Sequence, residues 1–468
     1  MSPAMVKFIS TRGDSTPKSF VDVMLGGSPG DQGLYVPAQW PQINVAALKG
    51  KSYPEIVYEV IKPFVGNDIP ADDLREMIAD VYSPKNFNHP DIAPLKKLDE
   101  STFVLELFHG PTLAFKDYPL QLLGRMFDYV LEKRGERLTI VAATSGDTGS
   151  AAIEAVRNCK NVDIFVMFPE GRVSNVQQRQ MTTVDSPNVH VIALKGNFDD
   201  AQFRVRQMLD NQQFKDEMRL SAVNSINFVR IAAQIAYYFN TGVALGAPER
   251  KASYVVPTGN FGNVYAAYSA KQMGLPVDQL IIGSNRNDIL TRFFQTASMT
   301  KSEIEPSLSP SMDIGMSSNF ERYLFDLVGR DSEAIKGFMK SWAEKGSYTL
   351  DEKLMEKARG MFSAHNCSDA QTMAMISECF NETGYIIDPH TAVALHAARA
   401  ERRDPAVPLV VLATADPAKF PDAVKEATGV NPPLPAHLAD LYERKEKFVV
   451  LPNDLEQIKA FIRAPQYS

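Results

Sequence analysis

Short, continuously apolar runs recur along the chain and alternate with helical patterns. Residues 138–143 (LTIVAA), 162–168 (VDIFVMF), 189–194 (VHVIAL), 253–256 (SYVV) and 408–413 (PLVVLA) are runs of this kind, and 102–108 (TFVLELF) resembles them. Helical patterns fall at 54–64, 150–156, 229–239 and 264–273. A strand that is apolar on both faces has to be covered on both. The pattern therefore predicts an α/β fold of open, mostly parallel sheets with flanking helices. Such sheets bind ligands beyond the carboxyl ends of their strands, so the loops that follow strands are read for function.

The first hundred residues break this rhythm. Gly26, Gly27, Pro29, Gly30 and Gly33 make a turn-rich segment, and 84–94 is irregular. We expect an N-terminal extension domain over 1–94, a smaller α/β domain over 95–220 and a larger one over 221–468. A chain of 468 residues has room for this many cores. The stretch 301–320, rich in Ser, Pro and Met, is too long for an ordinary connection and is functional or mobile. Composition excludes other classes. With 56 acidic and 49 basic side chains, a net charge of −7 gives no general attraction to nucleic acid or anionic membrane. No run approaches the roughly 18 apolar residues of a membrane span. Three cysteines cannot build a disulfide framework, and the opening stretch has no apolar signal core. A cytoplasmic enzyme is expected, with monomer and homodimer both open.

Three strand-end loops carry chemistry. Thr144-Ser145-Gly146-Asp147-Thr148-Gly149 follows the 138–143 run and precedes a helix. Its hydroxyls, and the free N–H groups of a helix start, suit an anion, although a capped turn explains the hexapeptide equally well. Pro257-Thr258-Gly259-Asn260-Phe261-Gly262-Asn263 follows the 253–256 run, and its glycines permit a nest of N–H groups around a phosphate. It lacks the Gly-Lys-Ser/Thr of a nucleotide-binding P-loop. Thr414, after 408–413, puts a hydroxyl at a strand's carboxyl end, well placed to bond a ring nitrogen, although taken singly it reads more often as a turn or capping threonine.

Lys116 lies in Phe108-His109-Gly110-Pro111-Thr112-Leu113-Ala114-Phe115-Lys116-Asp117, where a helix is expected to start near Leu113. Its mostly apolar neighbours would lower its pKa and free the amine for Schiff-base chemistry, although an isolated lysine is more often a snorkelling surface residue. Together, a Schiff-base lysine, a carboxylate loop, a phosphate cradle and a ring-nitrogen partner are what pyridoxal phosphate and an amino acid require. The paired histidines and cysteines, His365 with Cys367 and His390 with His396, lack a third ligand at metal spacing, so no metal is expected.

ELFHGPTLAFKD (106–117), TSGDTG (144–149), NSINFVRIAAQ (224–234), GNFGN (259–263) and LATADPAKF (412–420) closely resemble the threonine synthase family. The resemblance runs from STRGD (10–14) to the C-terminal region. SPSMDIGMSSNFER (309–322) is similar to the branch found in enteric bacteria and fungi. It implies a fold-type-II pyridoxal-phosphate enzyme, a lyase that turns O-phospho-L-homoserine and water into L-threonine and phosphate. Carried over, Lys116 matches the cofactor lysine and Gly259, Asn260, Phe261, Gly262 and Asn263 match the cofactor-phosphate loop. Thr414 matches the residue at the pyridine nitrogen, and Thr144, Ser145, Gly146 and Thr148 match the substrate-carboxylate loop. By the same resemblance, Asp147 is expected to border the cofactor's 3′-oxygen. Asp416 departs from the pattern, since many relatives carry His there.

For the substrate phosphate we expect Arg172 and Ser174 after 162–168, with Asn227 and Arg230 at the start of the 229–239 helix, because an arginine fork suits phosphate. Lys116 is then the natural general base at Cα. Two alternatives stay open: another pyridoxal-phosphate lyase reaction on the same fold, such as hydroxy-amino-acid dehydration or phospholysis, and a catalytically silent small-molecule binder.

Overall fold

A computed structural model describes residues 6–14 and 16–464. Part of the opening stretch read for a signal sequence, residues 1–5 and 15, lies outside the described residues.

Two parallel sheets carry the molecule. In the larger, six strands run in the order Phe362–Asn366, Val277–Ser284, Ala252–Pro257, Leu409–Ala413, Thr102–Glu106 and Leu95–Lys97, and only the last pairs antiparallel. In the smaller, five strands run in the order Val449–Pro452, Val189–Lys195, Val162–Pro169, Leu138–Ala143 and Leu220–Ser221, all parallel. The apolar runs read from sequence are the central strands of these sheets. Ile140, Val141, Ile164, Val166, Val255, Val256, Val410 and Leu412 are completely buried. Such double-sided burial is what a parallel strand requires.

The sheets cross the expected domain boundaries in two places. Thr102–Glu106 pairs with Leu409–Ala413 and so belongs to the larger sheet. Val449–Pro452 returns from the far C-terminus to pair with Val189–Lys195 in the smaller one. In both cases strand pairing is nonlocal, and a sequence reading by proximity cannot find the partner.

The N-terminal residues pack on the helix Phe228–Ala244, which is buried along nearly its whole length. Phe228 meets Phe8 at 5.0 Å and Phe64 at 5.5 Å between ring centroids, both edge-on. The STRGD string has a structural purpose. Arg12 donates to both oxygens of Glu321, at 3.0 and 2.8 Å, and the Thr11 hydroxyl donates to the same carboxylate at 2.6 Å. The opening segment is thereby tied to residues 309–322, the other family-like string. Among the described residues, no helix is long and apolar enough to cross a membrane.

Candidate active site

The two sheets meet at the loops that leave their strands' carboxyl ends. Lys116 stands at the turn into the helix Asp117–Arg134. That helix starts later than the apolar pattern predicts, because Leu113 takes a left-handed φ of 63°. The buried Asp117 locks the turn, accepting from the Thr112 N–H at 2.9 Å and its hydroxyl at 2.6 Å. Gly110 permits this closeness, since a Cβ there would sit 2.5 Å from that of Asp117. Burial pushes the Asp117 carboxyl up to about 7, with both Thr112 bonds opposing. The Phe115 N–H donates to the Thr414 carbonyl at 2.9 Å, which brings the lysine segment beside the end of Leu409–Ala413.

Lys116 is 9% exposed. Its Nζ lies 3.8 Å from Asp147 Oδ2 and 3.4 Å from Ser311 Oγ, to which it donates. Burial drives this ammonium from its ordinary 10.5 down to about 8, against the Asp147 carboxylate and with the help of the Arg230 and Lys419 charges. Asp147 opens the helix Asp147–Val156 and is saturated with donors. Its Oδ1 takes Lys419 Nζ at 2.7 Å and Gln177 Nε2 at 3.0 Å, while its Oδ2 takes the Ser311 hydroxyl at 3.0 Å. Burial alone would raise its carboxyl. The Lys419 and Lys116 ammoniums outweigh that and hold it well below the usual range. The site therefore pairs a lysine able to shed its proton near neutrality with a carboxylate that stays ionised.

The neighbouring loop residues divide between building and binding. Thr144 builds: its Oγ1 accepts from the N–H groups of Gly146 at 2.9 Å and Gly149 at 2.8 Å. Gly146 takes a φ of 133°, and a Cβ there would strike the Gln177 amide. Ser145 and Thr148 are partly exposed, and their hydroxyls have no hydrogen-bond partner among the described residues.

At the phosphate loop, Phe261 takes a left-handed φ of 62° immediately before the helix Gly262–Gln272. Its ring pays for that strain by packing edge-on against Phe320 at 5.1 Å. The carbonyls of the loop are held by its neighbours: Gly259 O accepts from the Ser317 hydroxyl at 2.7 Å, and Asn260 O from the Asn319 N–H at 3.0 Å. Asn263 Oδ1 accepts from the hydroxyls of Tyr237 and Tyr238 at 2.5 and 2.7 Å, leaving its buried Nδ2 without a partner among the described residues. An unspent buried donor at a helix N-terminus fits an anionic phosphate. The Thr414 side chain is buried and its hydroxyl likewise has no partner among the described residues, which fits a ring nitrogen. The residues present thus fit pyridoxal phosphate.

The residues expected at the substrate phosphate separate. Arg230 is 3% exposed; one of its nitrogens, Nη1, donates to the Val223 carbonyl at 3.0 Å, and its buried Nε has no partner among the described residues. Burial pulls its guanidinium down to about 10. Arg172 lies exposed on the turn after Val162–Pro169. Ser174 and Asn227 are both engaged at helix starts. Ser174 Oγ caps the helix Asn175–Thr182, accepting from the Gln177 N–H. Asn227 caps Phe228–Ala244 through Oδ1 and donates Nδ2 to the Met24 carbonyl at 2.9 Å. Helix-start donors need capping, and these polar side chains are spent on it. Asp416 is also a cap, accepting from the Ala418 N–H at 2.8 Å, and burial pushes its carboxyl up.

Three residues at the site carried no assignment from sequence: Gln177, Ser311 and Lys419. Lys419 stands inside the LATADPAKF string, but a lysine after a proline turn reads as a surface residue until its neighbours are seen.

Family models for the threonine synthase N terminus match residues 7–82, for a pyridoxal-phosphate dependent enzyme residues 90–350, and for the threonine synthase C-terminal region residues 391–462. The threonine synthase of Pseudomonas aeruginosa is 50% identical over 98% of this chain and 98% of its own length. The chain belongs to the threonine synthase family. Among solved structures, a pyridoxal-phosphate-bound threonine synthase from Brucella melitensis is 50% identical, covering 98% of this chain and 99% of its own, with a TM-score of 0.95. The yeast threonine synthase is 35% identical over 97% of this chain and 98% of its own, with a TM-score of 0.91. Like other threonine synthases, the chain is a pyridoxal-phosphate-dependent enzyme of the fold-type-II class.

Proposed function

We infer that this site converts O-phospho-L-homoserine and water into L-threonine and phosphate, with Lys116 as the cofactor lysine and the acid–base group. The observation that carries this reading is the Lys116 amine, buried, brought to about 8 and set 3.8 Å from an ionised carboxylate.

When bound, pyridoxal phosphate supplies the electron sink for negative charge that develops beside the substrate's amine. The protein supplies the rest. Backbone N–H groups at Gly259–Asn263, with Asn263 Nδ2, would hold the cofactor phosphate, and the Thr414 hydroxyl would meet the ring nitrogen. Ser145, Thr148 and the N-terminus of Asp147–Val156 take the substrate carboxylate. With the substrate in place, the Lys116 nitrogen would be free beside Cα. A group near 8 suits reversible proton transfer there, one proton at a time: Cα and Cβ each lose one, Cγ gains one as phosphate leaves, and Cα regains one as water adds at Cβ, the water's remaining proton departing with the phosphate. Asp147 stays charged throughout and favours a proton on whatever nitrogen faces it. Arg230, with Arg172 from the opposite loop, holds the terminal phosphate as it becomes the leaving group.

The test is a product assay. Equimolar threonine and inorganic phosphate from O-phospho-L-homoserine supports the reading; ammonia and a keto acid would replace it with a dehydratase or phospholyase reaction.

A further inference from the structure

Lys419 is completely buried, with 0% of its surface exposed. A buried ammonium persists only where it is paired and hydrogen-bonded. Here the partners are Asp147 Oδ1 at 2.7 Å and the Thr112 carbonyl at 2.8 Å. The pair spans the two sheets: Lys419 follows Leu409–Ala413 of the larger, and Asp147 follows Leu138–Ala143 of the smaller. It also divides the carboxylate. Oδ1 belongs to Lys419 and Gln177, so Oδ2 is the oxygen turned to Ser311 and Lys116.

We propose that Lys419 is a positioning residue of the reaction: it fixes the Asp147 carboxylate between the sheets and sets how much of that negative charge reaches the Lys116 nitrogen. The proposal rests on Lys116 being the cofactor lysine. Lys116 feels Asp147, Arg230 and Lys419; Asp147 feels Lys419, Lys116 and His390; and Lys419 in turn faces Asp117 and Asp416. Lys419 thus acts on Lys116 twice, by direct repulsion and by sharing its counter-ion. Removing its charge releases both brakes, and Lys116 then holds its proton more tightly. The amine would be less available at neutral pH, and Asp147 would be free to turn.

The experiment follows Lys116 itself in the cofactor-free full-length chain. The rate of its acetylation by acetic anhydride is measured against pH by peptide mass spectrometry, because only the neutral amine reacts. Wild type is expected to inflect near 8. Lys419→Met moves the inflection up by about one unit, which is roughly tenfold less neutral amine at neutral pH. Lys419→Arg, which keeps the charge, restores it. Asp147→Asn moves it down by leaving the Lys419 repulsion unopposed, and adding Lys419→Met to Asp147→Asn raises it again. Because Lys419 acts partly through the carboxylate, Lys419→Met moves the inflection further alone than on top of Asp147→Asn, and Lys419→Gln serves as the single variant if Lys419→Met does not fold. An unchanged inflection in the single variant, or an equal shift in the two backgrounds, overturns the proposal. The labelling reports proton affinity whether or not the cofactor attaches at Lys116, so failure of that assignment shows separately as no borohydride-fixed adduct there.

Discussion

Thr414 and Arg230 give the sharpest residue-scale tests. Thr414 is a buried residue beside the lysine segment, and its hydroxyl has no hydrogen-bond partner among the described residues. Replacing it by Asp puts a carboxylate against the ring nitrogen and holds a proton there. Thr414→Asp should lower turnover by at least about tenfold and shift the visible absorption of the loaded enzyme; no change in either would remove Thr414 from the site. Arg230→Met should raise KM for O-phospho-L-homoserine by about 100-fold, the loss of a charge-assisted phosphate contact, and Arg172→Ala by less. Steady-state kinetics decide both, and an unchanged KM frees either residue from that role. At this scale the sequence put forward Lys116, Asp147, Thr414 and the 259–263 loop as candidates, because each belongs to a string whose residue types are unusual together. It did not separate ligands from caps. Ser174 and Asn227 have the chemistry of phosphate ligands, but whether a hydroxyl or amide faces a ligand or the first turn of a helix depends on backbone direction. Lys419 was hidden for the opposite reason, since burial of a charge is a property of the assembled fold.

At the scale of elements, the connection 301–320 is built into the site. Ser311 touches Lys116 and Asp147, its carbonyl would lie 2.9 Å from a Cβ at Gly259, and Ser317 and Asn319 hold the phosphate-loop carbonyls. The loop owes its shape to Asp313. This carboxylate accepts from the Ser307 hydroxyl at 2.6 Å and N–H at 3.0 Å, and from the amides of Asn285 at 2.8 Å and Asn287 at 2.9 Å. Asp313→Ala strands those donors and should cost about 2–4 kcal/mol, felt first as local opening. Limited proteolysis should then cut within 301–320 faster than in wild type, with activity falling in parallel. Equal cleavage rates would show that the loop holds its form without Asp313. Sequence marked this segment by its length, its composition and the family-like string at 309–322; which strand ends it bridges follows only from the meeting of the two sheets.

For the whole molecule, the site is a cost that the fold carries. In the folded chain Lys116 gives up its proton near 8, against an ordinary 10.5, so the folded state holds that proton less tightly than the unfolded state. Below 8 the cost of charging the buried amine is felt in full; between 8 and 10.5 it fades, and stability from this group rises with pH. Lys116→Met should therefore stabilise the cofactor-free protein at pH 7 by up to about 3 kcal/mol, with a gain that shrinks as the pH passes 8 and approaches 10.5. Denaturant melts at several pH values test this, and a gain independent of pH would contradict it. The alternation of apolar runs and helices made two parallel sheets legible in advance. The crossing of Thr102–Glu106 and Val449–Pro452 into distant sheets was not, because nothing local to either strand records its neighbour. One apolar core runs under both sheets, and above it Lys419, Asp147, Ser311 and Lys116 meet beyond the strand ends. The account stands on the last of these. Borohydride reduction of the enzyme loaded with pyridoxal phosphate, followed by peptide mass spectrometry, should place a single cofactor adduct on Lys116; an adduct on another lysine, or none, would contradict it.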